Sequence, residues 1–131
     1  MDVLPILPRW RLRVAQTIPW LLVLLLSCFL VQVFLAGAGL LVDASYLALH
    51  KVFIHWFEFL PILIAAAGFI ATDKTAGWVG VALFVLIEAQ YALIYAPSAM
   101  VHALHPVNAV IMSGIAMVLL SKRLPWKSGA A

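Results

Sequence analysis

The sequence predicts an all-α fold, an integral membrane four-helix up-down-up-down bundle forming one domain over 1–131, with both termini cytoplasmic. Three observations predict it. The 131 residues are 66% hydrophobic and 10% charged, and their mean hydropathy is +1.14. Such a chain has too little polar surface to stay in water alone, so a lipid bilayer must supply its outer shell. The apolar residues fall into four runs, each of a length that crosses about 30 Å of hydrocarbon. Basic side chains also gather on one side of those runs. Arg9, Arg11 and Arg13 precede the first, Lys74 lies in the middle loop, and Lys122, Arg123 and Lys127 come after the last, against Lys51 alone on the other side. That bias sets the termini in the cytoplasm and makes the chain a multi-pass protein of the cell inner (cytoplasmic) membrane. The same charges, scattered over three short flanks, form no groove or stripe for nucleic acid.

The predicted helices are 19–41, 46–71, 77–96 and 101–120. Residues 1–18 form a cytoplasmic arm in which Pro5 and Pro8 oppose a regular helix, and Pro19 suits a first helical turn, where an amide hydrogen is dispensable. The run from Val14 to Val42 is too long for the apolar core of a cleaved signal sequence. Gln32 is the strongly polar interior group of helix one and is expected to face the other helices. Ala36, Gly37, Ala38 and Gly39 permit close approach of a helix or a flat cofactor. Asp43 is placed to cap helix two, which carries His50, Lys51, His55 and Glu58. Residues 59–71 are too few for a span of about 20, so Glu58 must enter the membrane zone, and Pro61 is expected to kink the helix beside it. Helix three comes after the turn ATDKTAG and carries Glu88 in mid-run. Pro97 and Ser98 end it, and Ser121, Lys122 and Arg123 end helix four. Trp10, Trp20, Trp78 and Trp126 near one boundary, with Tyr46, Trp56 and Tyr95 near the other, make an aromatic belt. Cys28, the one cysteine, allows neither an internal disulfide nor a covalent haem attachment motif.

Four short-looped helices bring the starts of helices two and four to one side, so all four histidines share the outer half. His50 and His55 differ in depth by about 7.5 Å and do not share a face, whereas His102 and His105 differ by about 4.5 Å and nearly do. A flat ring held between helices two and four needs one histidine from each. Haem suits this: its iron takes axial imidazoles, its faces are apolar, and its propionates would reach the watery edge beside Lys51. Composition and spacing leave three readings open, namely haem, another metal, and histidines bonded to water or backbone at the rim. A zinc site would draw on His50 or His55 with His102, His105 and Glu58, without any HExxH motif. Glu58, three residues after His55, is spaced to hold an imidazole nitrogen. Glu88, Tyr91 and Tyr95 share one helix face and suit a proton path, a quinol-binding wall or helix packing.

The segment Leu49-His50-Lys51 after VQVFLAGAGLLVD, and Ala103-Leu104-His105-Pro106-Val107-Asn108 later, resemble a family of small four-helix bacterial membrane proteins. In layout that family is similar to the four-helix halves of haem A synthase and to cytochrome b type bundles. The resemblance implies a b-type haem, with His50 and His105 as its ligands and Asn108 as a polar residue one turn deeper. It implies electron transfer with a quinol or a membrane protein partner, and a homo-oligomer or larger complex stays open. This chain departs from the pattern in having Val52, Phe53 and Ile54 where glycine tends to come after the first histidine. The competing class is a cofactor-free accessory subunit whose polar groups fix helix packing.

Overall fold

A computed structural model of the protein describes residues 8–124. They form α1 (Arg9–Leu41), α2 (Ser45–Phe53), a 3₁₀ turn at Ile54–Trp56, α3 (Leu60–Ile70), α4 (Lys74–Ile94), α5 (Ala99–His102) and α6 (Leu104–Ser121), with no strand among the described residues. Taken with their short breaks, these make four helices long and apolar enough to cross a membrane: Arg9–Leu41, Ser45–Ile70, Lys74–Ile94 and Ala99–Ser121. The principal packing pairs are α1 with α2, α3 and α6, α3 with α4, and α4 with α6. The helices therefore close into a ring in chain order. Pro5, Pro125, Trp126 and Lys127 lie outside the described residues.

The core is written in heptad spacing. On α1 the buried residues are Ile18, Leu22, Leu25 and Phe29, and on α4 Ala76, Gly80, Leu83 and Ile87 repeat the same steps of four, three and four. α6 contributes Asn108, Met112, Ala116 and Leu119. A stripe at this spacing stays on one side of a helix and suits shallow crossings at about 20°. The outward faces are equally apolar, with Trp20, Leu30 and Val110 each more than 70% exposed, as a lipid-facing surface requires.

The tightest pair is α3 against α4. A Cβ on Gly68 would lie 2.3 Å from the Gly77 nitrogen, and one on Gly80 would lie 2.4 Å from the Ala65 nitrogen. Backbones can meet this closely only where the side chain is a hydrogen, and in lipid such contacts replace the hydrophobic drive as the source of helix association. The turn joining the two helices is short. Asp73 N–H donates to Gly68 O (2.8 Å) and Thr72 N–H to Phe69 O (3.1 Å), with Thr72 in the left-handed region at φ 61°, which completes a Schellman-type end to α3.

Asp73 then caps α4 by accepting from Ala76 N–H at 3.0 Å and pairs with Arg123 beyond α6. Burial raises the Asp73 pKa, but the Ala76 amide and the Arg123 guanidinium together outweigh it, and the carboxyl is held below its ordinary 3.8. A group with a depressed folded-state pKa adds stability that is complete above its unfolded value and is lost as pH falls through the folded one. Thermal unfolding in detergent should therefore show a stability loss below about pH 4 that is smaller in Asp73→Asn. An unchanged acid limb in that variant would rule the contribution out.

Three boundaries differ from those expected, each through a proline. α1 starts at Arg9 rather than near residue 19, because Pro8 takes the extended N-cap conformation (φ −59°, ψ 145°) and Pro19 is accommodated inside the helix. The resulting 33 residues measure about 50 Å, so the Arg9–Arg13 turn projects past the hydrocarbon with the Arg11 guanidinium over the Trp10 ring at 5.2 Å. The second span is broken outright rather than merely kinked. Pro61 has no amide hydrogen to offer the Phe57 carbonyl, which takes Leu60 N–H instead at 2.9 Å. The fourth span pauses at Ala103, since Pro106 cannot donate to His102 and its ring would crowd that carbonyl. At the turn between α1 and α2, Asp43 accepts from Ser45 N–H at 2.8 Å, two residues on, while Ala44 takes the N-cap position without a side-chain bond.

Candidate functional site: a histidine pair between two helices

His50 on α2 and His105 on α6 face each other, with ring centroids 6.4 Å apart and planes inclined at 61°. Each ring is anchored in the same way. His50 Nδ1–H donates to the main-chain carbonyl of Gln32 on α1 at 3.0 Å, and His105 Nδ1–H to that of Gln90 on α4 at 3.3 Å. A carbonyl only accepts, so Nδ1 carries a proton in both rings, and in the neutral form of such a ring Nε2 keeps its lone pair. Neither Nε2 has a hydrogen-bond partner among the described residues. Fixing one ring nitrogen on a backbone carbonyl is the usual support for a histidine whose other nitrogen binds a metal. Two imidazole–metal bonds of about 2 Å each, with the ring radii added, come to about 6 Å between centroids. The centroid spacing is of the size that a metal ion between two such rings would need.

The residues after His50 do not crowd it uniformly. Val52 is 57% exposed and points outward, while Phe53 and Ile54 pack against the core, Phe53 on Phe57 at 5.3 Å. Lys51 is exposed beside His50. Asn108 is buried one turn below His105 and donates through Nδ2 to Leu86 O at 2.8 Å. The side chain of Gln32 is not what meets His50: its Oε1, like that of Gln90, is buried without a partner.

The other candidates form a separate group. At the break of the second span, His55 Nδ1 lies 3.2 Å from Glu58 Oε2, and the Tyr91 hydroxyl donates to the same oxygen at 2.5 Å. His55 stacks on Tyr91 with planes 11° apart. Gln90 and Tyr91 are sequence neighbours on α4, so this cluster and the histidine pair stand at one level on adjacent faces of that helix. His102 is exposed and hydrogen-bonds the carbonyl of Ala96 through Nε2, closing the loop 95–98. Glu88 and Tyr95 are exposed and are not joined to Tyr91 by hydrogen bonds, so the shared face expected of Glu88, Tyr91 and Tyr95 is not a connected relay in this structure. No three His, Cys, Asp or Glu side chains among the described residues come together as a metal-holding group, which leaves the multi-ligand zinc set unassembled.

Two features are not marked by any motif in the sequence. The carbonyl that holds His105 belongs to Gln90, 15 residues before it, much as the one that holds His50 belongs to Gln32, 18 before. The Asp73–Arg123 pair was signalled only by opposite charges at the same end.

Four helices fit to cross a membrane, with a paired-histidine site between the second and fourth, define a multi-pass membrane protein. Residues 32–97 match the DUF6220 family, a family of unknown function, and the chain belongs to it. That match spans Gln32, His50, Glu58 and Tyr91 and stops before His105. No curated protein and no solved structure matches the chain.

Proposed function

We propose that this protein is a b-type haem carrier of the cytoplasmic membrane. In this reading it is an up-down-up-down bundle with both termini in the cytoplasm, and it passes electrons to or from a quinol or a membrane protein partner, as a subunit of a larger complex. The observation that carries the reading is the pair His50 and His105, one from each of two facing spans, both with Nδ1 tied to a carbonyl and Nε2 free. Haem, when bound, supplies one-electron redox chemistry at iron. The chain supplies two imidazoles whose Nδ1–H bonds fix the rings, and Lys51 at the rim as the cation for propionate. Asn108 holds α6 against α4 and so fixes the depth at which His105 sits.

A second reading draws on the same carbonyl bonds. Each histidine also ties its helix to the one before it, which is what a cofactor-free accessory subunit would need. Haem titration of the purified protein separates the two. On the first reading the wild type binds one haem in a six-coordinate low-spin form. His50→Ala and His105→Ala lose that form, while His55→Ala and His102→Ala keep it. Retention of the low-spin spectrum in His50→Ala or His105→Ala would remove that residue as a ligand, and no haem binding by the wild type would leave the accessory reading.

A further inference from the structure

Glu88 lies six residues before α4 ends at Ile94, about 9 Å of helical rise inside it. It is exposed on the outside of the four helices and has no hydrogen bond or ion pair with any described residue. Acidic side chains in spans as a rule face the interior of their bundle or pair with one another, and glutamate is too short to bring its carboxyl across 9 Å to the headgroups. Lys51 cannot serve, since it stands on α2, whose principal packing partner is α1. The polar group therefore calls for a partner outside the chain. The face around it is built for close contact: Ala82 and Ala92 are exposed on either side of Val85, which is 58% exposed, and Trp78 (65%) and Tyr95 (84%) close the two ends.

We propose that this face of α4 is a self-association surface, on which a second copy of the chain packs α4 against α4 about a two-fold axis along the membrane normal. A carboxyl that carries its proton has one donor and an acceptor. Two copies inserted the same way carry Glu88 at the same depth, so the same residue satisfies itself across the axis, which is the defining property of an isologous contact. The small alanines let the backbones approach, as helix pairs in lipid require. Haem binding plays no part in this arrangement.

Cysteine cross-linking in native membranes tests it, in a Cys28→Ala background. Val85→Cys and Ala92→Cys should each give a dimer of the chain, while Leu30→Cys on α1 and Val110→Cys on α6, both 72% exposed, should not. Adding Glu88→Gln, which still donates and accepts, should preserve the dimer, and adding Glu88→Leu should abolish it. Glu88→Leu faces lipid and should unfold at the wild-type temperature, which separates lost association from lost fold. Monomer at Val85→Cys and Ala92→Cys, a cross-link to a different protein in place of the dimer, or a dimer that survives Glu88→Leu would each overturn the proposal.

Discussion

Gly80→Val is expected to be among the most costly single substitutions in the helices of this protein. The new Cβ would stand 2.4 Å from the Ala65 nitrogen, 2.7 Å from its Cα and 2.7 Å from the Pro61 carbonyl oxygen. All three are backbone atoms, so no side chain can rotate away and the α3–α4 pair must separate. Overpacking that side chains can absorb costs about 1–3 kcal/mol, and a backbone collision belongs at or above the top of that range. Gly68→Val, meeting the Gly77 nitrogen at 2.3 Å, should behave alike. Gly37 and Gly114 have nothing within 4 Å of a new Cβ, and alanine at either should be neutral or stabilise by about 0.5–1 kcal/mol through better helix propensity. Thermal unfolding in detergent, measured by circular dichroism, compares the four. Equal stability of Gly80→Val and Gly37→Ala would show that α3 and α4 do not meet as described.

The second large effect is expected at Glu58. Its carboxylate receives both the Tyr91 hydroxyl and the His55 ring, and the side chain is 14% exposed. Glu58→Ala strips the Tyr91 hydroxyl and the His55 ring of their partner, a loss of about 1–3 kcal/mol. Glu58→Gln keeps a carbonyl oxygen in place and should lose less. A double-mutant cycle of Glu58→Leu with Tyr91→Phe should give a coupling of about 0.6–1.7 kcal/mol, the range met by hydrogen bonds between helices in lipid. Additive losses would mean that the hydroxyl and the carboxylate do not interact.

How much of the molecule is legible in its sequence depends on the range of the forces concerned. Spans are set by local composition, so four apolar runs predict four helices directly. The spacing of His55 and Glu58, three residues apart, and the proline at 61 are also local, and the His55–Glu58 contact and the helix break appear where they point. The second partner of Glu58 is not local. Tyr91, grouped by periodicity with Glu88 and Tyr95, turns inward to the cluster while the other two face outward. Periodicity places the three on one broad arc of the helix and does not show where along that arc the inward side ends. Pro8 and Pro19 exchange the roles that the sequence suggests for them. A proline is as acceptable at an N-cap as in a first turn, and only the packing of Ile18 and Val14 against the core decides that the helix continues below residue 19. The anchoring of both histidines on main-chain carbonyls is invisible in principle, since every residue has such a carbonyl and side-chain identity does not mark the one that will be used.

Haem ligation, as proposed, depends on two nitrogens left free while their ring partners are held. Its most direct test is the reduced-minus-oxidised visible spectrum of the full chain, purified in detergent from a haem-replete host. A sharp alpha band of the b type is expected, showing a six-coordinate haem held by two imidazoles. A colourless protein whose spectrum stays featureless after haem is added back would contradict it.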